Sequence, residues 1–347
     1  MNKIKTIALL IGVIFIVNAC RKDKPSINQD PSIIISNNRG VYITNEGNFQ
    51  FGNAKVSYYD IANATVNEDL FQQTNNRPLG DVCQSMNIFN DKIYIVVNNS
   101  GKIEVVDKKT FKSIGTISNL QSPRYFLRVS NAKAYVTDLY SNSISIVDLT
   151  SNVKTGSILC KGWTEELLLS YGNAFVTNML TDKVYVINTA TDSIEDSIQV
   201  GYASNSIRED KYGMIWVLSS GSNQLNKLAS LCKINPISRQ VEKTLFFTNP
   251  SDEPFKLNIN FTKDTLYYIN KSIYRFPITS SSITNNVFIN KETANFYAIG
   301  IEPYTGIVYV ADAIDYVQKG IIYRYKPDGT LINSFKAAII PGNFYFD

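Results

Sequence analysis

"AYVTDLYSNSISIVDLTSN", residues 134–152, holds two short apolar runs separated by a polar turn. Ala134–Thr137 and Ile144–Val147 are rich in β-branched and aromatic residues, and Asp, Ser and Asn cluster around them. That pattern predicts a β-hairpin. It recurs along the chain. "GVYITNEG" (40–47), "KIYIVVNN" (92–99), "KAYVTDLY" (133–140), "NAFVTNML" (173–180), "MIWVLSSG" (214–221), "TLYYINKS" (265–272) and "IVYVADAI" (307–314) align on one aromatic each. The anchors are Tyr42, Tyr94, Tyr135, Phe175, Trp216, Tyr267 and Tyr309. Seven copies spaced by roughly 40–50 residues fall in the range of propeller blades.

Further strands surround each anchor. If the anchor strand is B, a second run such as "SISIVD" (143–148) or "KVYVIN" (183–188) is C, and "VKTGSI" (153–158) is D. A preceding run such as "RYFLRV" (124–129), "EELLLS" (165–170) or "FYAIGI" (296–301) is A. Four antiparallel strands per copy make a blade. The first copy starts at its B strand, and the chain ends on "IIPGNFYFD" (339–347), an A strand with nothing after it. Phe344–Phe346 is therefore predicted to complete blade 1. The expected fold is all-β, a seven-bladed β-propeller over residues 37–347 closed by its C-terminal strand. The copies near 254–290 and 316–347 are the most degenerate.

Composition narrows the function. At 347 residues, 44% hydrophobic and 18% charged, the chain is globular with a large core. The net charge is +4, with Lys3 and Lys5 near the N-terminus contributing two of it. No basic face appears, so nucleic acid is not an expected partner. There is no histidine. This excludes a Ser-His-Asp triad, a Cys-His pair and His-ligated zinc or haem. No catalytic set, metal site or cofactor is expected, and the chain reads as a non-enzyme. Glu165 and Glu166 are adjacent in a predicted strand, which points them to opposite faces and gives them a structural reading.

Residues 1–19 read as a secretory signal, with Lys3 and Lys5 ahead of an apolar run from Ile7 to Val17 too short to span a bilayer comfortably. Val17-Asn18-Ala19-Cys20 resembles a bacterial lipobox, with Asn18 a departure from the usual small or aliphatic residue. The resemblance implies that Cys20 is lipidated and anchors an outer-membrane lipoprotein, with residues 20–36 as a polar tether. Arg21, Lys22 and Lys24 around a single Asp23 leave cell-surface and periplasmic display both open. Cys83, Cys160 and Cys232 show no metal spacing and are expected as buried thiols.

Strand direction chooses a face. D–A and B–C loops share one end of a propeller, and A–B and C–D turns share the other. At the end of each B strand sits a small polar residue: Asn45, Asn98, Asp138, Asn178, Ser219, Asn270 or Asp312. Glu46, Asn99, Tyr140, Met179, Asn223 and Tyr316 lie close by, and the D–A loops add Arg77, Arg124, Tyr125, Trp163, Tyr202 and Phe255. Asn and Asp at strand ends commonly hold the turn backbone. Amides and aromatics converging on one concave face also suit a flat, polar, bulky ligand. The expected binding set is Asn45, Asn98, Arg124, Asp138, Tyr140, Trp163, Asn178, Tyr202, Asn270, Asp312 and Tyr316.

"AYVTDLYSNSISIVDL" closely resembles the repeat of the Tyr-Val-Thr-Asn propellers, also called YncE-like or surface-layer-type. That family often has Gly-x-x-Pro in its D–A loop, whereas "VGYASNSI" (200–207) lacks the proline. With its leader and length, the chain is similar to lipid-anchored cobalamin-binding surface lipoproteins (BtuG-like). The resemblance implies a cobalamin-like corrinoid as ligand and a TonB-dependent outer-membrane transporter as partner. An envelope protein-interaction scaffold is the alternative. A propeller enzyme, such as a lyase or quinoprotein, is a third.

Overall fold

The computed structural model describes residues 39–347. The expected signal peptide, Cys20 and the tether lie outside the described residues. The apolar runs form strands, and these pair into seven sheets of four antiparallel strands each. The inner strands are Cys83–Phe89, Pro123–Arg128, Thr164–Ser170, Ser204–Glu209, Phe255–Ile259, Phe296–Ile301 and Pro341–Phe346. Each touches the next in order, and the last touches the first, so the sheets form a closed ring.

The C-terminal strand closes that ring as expected. It pairs with Gly40–Asn45, setting Ile43 opposite Phe344 and Tyr42 opposite Tyr345. The rings of Phe344 and Phe346 lie 5.8 and 5.4 Å from that of Tyr309 in blade 7. Both ends of the described residues thus sit in one sheet, which leaves no open strand edge between blades 7 and 1.

The aromatic anchors explain why the repeat is visible at all. All seven are buried. They pack across the gap between blades: Tyr94 stacks on Phe126 of blade 3 at 4.7 Å, and Trp216 meets Phe276 of blade 6 edge-on at 5.6 Å. Each fully buried side chain of this size contributes about 1.5–3 kcal/mol. The C–D turns are equally regular. Asp107, Asp148, Asn188 and Asn235 each accept from the backbone N–H groups two and three residues on. Phe111, Asn152, Asp192 and Arg239 follow in the left-handed conformation that finishes the turn. Cys83, Cys160 and Cys232 are buried free thiols.

Blade 1 departs from the pattern. Its outer strand is only Thr65–Asn67, and a short helix, α1 (Leu70–Asn75), follows. The Asp69 side chain accepts from the N–H of Gln72 and caps the helix, while Leu70 and Phe71 are buried. This insertion contributes to the wide spacing between Tyr42 and Tyr94. Six residues are too few for helical periodicity to stand out.

Every inner strand carries a β-bulge near its start. In blade 3, Pro123 pairs with Asp138 and Phe126 with Val136, so Arg124 and Tyr125 together oppose Thr137. Equivalent shifts occur in the other six blades. A bulge re-aims side chains that alternation would send to opposite faces. This corrects the expectation for Glu165 and Glu166. Both lie in the blade 4 bulge and both reach the central channel. The repeat's threonine stitches the blade 4 bulge from both sides: Thr137 Oγ1 of blade 3 donates to the Glu165 carbonyl at 2.7 Å, and Thr177 Oγ1 of blade 4 itself donates to that of Glu166 at 3.1 Å.

Candidate functional site

The bulges build a mouth at the D–A/B–C end of the channel. The first bulge residue of six blades lines it: Gln84, Arg124, Glu165, Asn205, Lys256 and Tyr297. In blade 1 that position is Gly342, and Glu46 from the B–C loop takes the space instead. A Cβ on Gly342 would stand 3.0 Å from Glu46 Oε1. Trp163, Met179 and Phe255 complete a cavity of about 200 Å³. Tyr125 and Lys256 also border a second cavity of about 270 Å³ further along the axis, beside Glu166, Arg208, Asn343 and Tyr345. A larger cleft of about 410 Å³ lies between the outer parts of blades 5 and 6 around Tyr268 and Asn270, but Asp252 is its one charged side chain.

Half of the mouth is satisfied internally. Arg124 donates to Glu165 through Nε at 2.9 Å and Nη2 at 2.6 Å, and to Gln84 Oε1 at 2.5 Å. Trp163 Nε1 also donates to Glu165 at 2.5 Å, and Arg124 lies 5.3 Å from the Trp163 ring. Burial works against the Arg124 charge, but the Glu165 carboxylate more than offsets it and holds the guanidinium charged. Below, Arg208 donates to Glu166 at 2.5 Å. Asn205 donates to the Pro254 carbonyl at 2.9 Å and accepts from Ser206 Oγ at 2.6 Å. Each glutamate is thus held in an ion pair with an arginine.

The other half is open. Lys256 donates to Asn343 Oδ1 at 2.9 Å, and Tyr297 Oη donates to Glu46 at 3.0 Å. Protein crowded around the mouth pushes the Glu46 carboxyl up and the Lys256 ammonium down, despite attraction from the opposite charges nearby. Burial likewise raises the phenols of Tyr125 and Tyr297.

Of the eleven residues expected from the sequence, Arg124 and Trp163 line the mouth. The B-strand-end residues do not. Asp138 accepts from the N–H groups of Ser122, Tyr140 and Ser141. Asp312 accepts from those of Asn295 and Ile314. Asn178 binds the Lys161 carbonyl and the Leu180 N–H. Asn98 binds the Pro123 carbonyl, and Asn45 binds Ser57 and the Ala338 N–H. Asn270 donates to Asp252. These side chains clasp the B–C turn to the neighbouring loops. Arg77 is also away from the mouth, paired with Glu104 in blade 2.

The loop aromatics form a rim. Tyr140 is 66% exposed, Tyr316 is 45% exposed and meets Tyr297 edge-on at 5.8 Å, and Lys227 lies 4.8 Å from the Tyr202 ring. B–C loops bring exposed Phe49, Phe51, Leu180, Leu225 and Val317 to the same face. At the other end, Tyr171, Tyr212, Phe261 and Tyr304 are exposed in the A–B turns of blades 4 to 7. Sequence reasoning missed Lys256, Tyr297, Gln84, Asn343 and Arg208. The available signal was two polar residues in succession at the head of an inner strand, as in Gln84-Ser85, Glu165-Glu166 and Asn205-Ser206, where alternation allows one.

A family described as a domain of unknown function, DUF5074, matches residues 39–346. The chain belongs to this family. No curated protein matches the chain. Among solved structures, it is similar to a quinonprotein alcohol dehydrogenase-like protein from Bacteroides thetaiotaomicron VPI-5482, with a TM-score of 0.70 and 16% identity over 88% of this chain and 78% of the other. It is similar to a protein named for 6-phosphogluconolactonase from Bacteroides fragilis NCTC 9343, with a TM-score of 0.64 and 13% identity over 89% and 98%. A computationally designed protein, Ika8, gives a TM-score of 0.59 and 11% identity over 88% and 91%. At these identities the likeness is one of fold.

Proposed function

We propose that this propeller is a non-catalytic, envelope-anchored binding protein that captures a bulky small molecule on its D–A/B–C face. The observation that carries the reading is the mouth itself: side chains from all seven blades converge there, two of its charges lack an ion-pair partner among the described residues, and exposed aromatics ring it. Concave sites with a few convergent polar groups and apolar walls are where small ligands bind. The specific ligand we favour is a cobalamin-like corrinoid, on the strength of the leader and the Tyr-Val-Thr-Asn repeat, with delivery to a TonB-dependent transporter. A corrin ring is wider than a cavity of about 200 Å³. It would lie across the mouth on the aromatic rim, with a peripheral side arm reaching in.

Titration of cyanocobalamin into the full-length protein tests this. Trp163→Ala is expected to weaken binding by about tenfold, since a stacked aromatic contributes about 0.5–1.5 kcal/mol beyond its buried area. Tyr212→Ala with Phe261→Ala, at the opposite end, is expected to leave binding unchanged. Loss of binding in that pair but not in Trp163→Ala would place the site on the wrong face. No heat and no absorbance change with the wild type would remove the corrinoid and favour a protein-interaction scaffold.

A further inference from the structure

The two unmatched charges of the mouth sit on either side of blade 7, one from blade 6 and one from blade 1. Lys256 has no carboxylate within ion-pair distance among the described residues. It donates to Asn343 at 2.9 Å and lies 3.5 Å from Tyr125 Oη. Among the described residues Glu46 likewise has no cation within that distance, and it accepts from Tyr297, whose Oη is 3.0 and 3.1 Å from the two carboxylate oxygens. Both positions are built at a cost. Gly342 omits the side chain that would fill the Glu46 site. Lys256 holds a φ of 56°, a conformation that residues with a Cβ adopt reluctantly. Both side chains are partly buried, and charges drawn even partly out of water without a partner are unfavourable. Across the mouth, by contrast, Arg124 and Glu165 neutralise each other.

We propose that the mouth reads a group without net charge that carries a hydrogen-bond acceptor beside a donor, the acceptor meeting Lys256 and the donor meeting Glu46. This rests on the mouth being the ligand site, and it names the chemistry read there. A lone carboxylate satisfies Lys256 but is repelled by Glu46, and a lone amine does the reverse. The four mouth charges, two of each sign, cancel, which favours a net-neutral guest. A primary carboxamide offers acceptor and donor in one plane, and a corrinoid carries several on its periphery. The head group of an α-amino acid offers the same order with full charges.

Nicotinamide, nicotinate and 3-(aminomethyl)pyridine share one ring and differ in the group presented, and phenylalanine supplies the zwitterion. Each is titrated calorimetrically into the full-length protein. Nicotinamide or phenylalanine is expected to bind at least about tenfold more tightly than the carboxylate and the amine. Whichever leads separates the carboxamide from the zwitterion. Glu46→Gln is expected to improve nicotinate selectively, and Lys256→Met to improve the amine, an inversion that a merely structural role does not produce. Nicotinate or the amine binding as tightly as the neutral probes to the wild type overturns the inference even if a variant fails to fold. Cyanocobalamin bound with unchanged affinity by both folded variants overturns it too, while leaving ligand capture intact. If neither cyanocobalamin nor any of the four probes binds the wild type, both readings fall.

Discussion

Glu46 and Lys256 carry charges that the rest of the ring does not neutralise, and that has a consequence for stability. Crowding by protein raises the Glu46 carboxyl, against the pull of Lys256, Arg124 and the Tyr297 hydroxyl and with a push from Glu165. Well below the ordinary carboxylate range, about pH 4, Glu46 is protonated in folded and unfolded chains alike. Above it the unfolded chain ionises first. The folded state then binds more protons, so stability falls as pH rises through the window up to the raised value. Glu46→Gln keeps an acceptor for Tyr297 and removes that loss. Its melting temperature is expected to match the parent in acid and exceed it at neutral pH. A gap that is constant with pH would mean that Glu46 ionises normally. Neither residue's role was open to sequence reasoning. Asn178 and Asp138 looked like a ligand ring because polarity at a strand end is the same whether a side chain faces a ligand or its own turn. Glu46 enters the site only because Gly342, almost three hundred residues away in sequence, leaves room for it.

The strands themselves were legible, because each is a run of β-branched and aromatic residues whose apolar side chains fill the gap to the next blade. The C–D turns were legible for a different reason: an Asp or Asn that holds two N–H groups leaves a mark at a fixed place. The bulges were not, since one extra residue in a strand changes facing without changing composition. The missing inner strand of blade 1 was read from what the two chain ends lacked, and its pairing with Gly40–Asn45 makes it the element on which the ring depends. Deleting Pro341–Asp347 uncovers the inner edge of that strand. It removes Phe344 and Phe346 from Tyr309, and it removes the Tyr345 hydroxyl that accepts the Met86 N–H at 2.8 Å. At about 1.5–3 kcal/mol for each fully buried large side chain, with these two phenylalanines only partly buried, the loss is expected to reach several kcal/mol. Chemical denaturation of the truncated chain measures it. A midpoint equal to the parent's would show that the ring does not need its closing strand.

At the scale of the whole molecule, fold and function part company. Seven repeats with one buried aromatic each determine a propeller whatever it binds, and the solved structures compared above share the fold at 16% identity or less. Location and ligand are then separate properties resting on separate residues. The proposed anchoring rests on Cys20, and the proposed capture rests on the mouth. Cys20→Ser is expected to move the protein from the membrane fraction to the soluble fraction, since lipid attachment depends on the thiol and no helix among the described residues is long and apolar enough to cross a membrane. The same variant is expected to titrate with cyanocobalamin as the parent does, because nothing in the mouth changes. Mass spectrometry of the parent should show acyl chains on Cys20. Unchanged membrane association together with an unmodified Cys20 would sink the anchor. A released variant that has also lost its ligand would show that capture depends on the membrane surface rather than on the mouth alone.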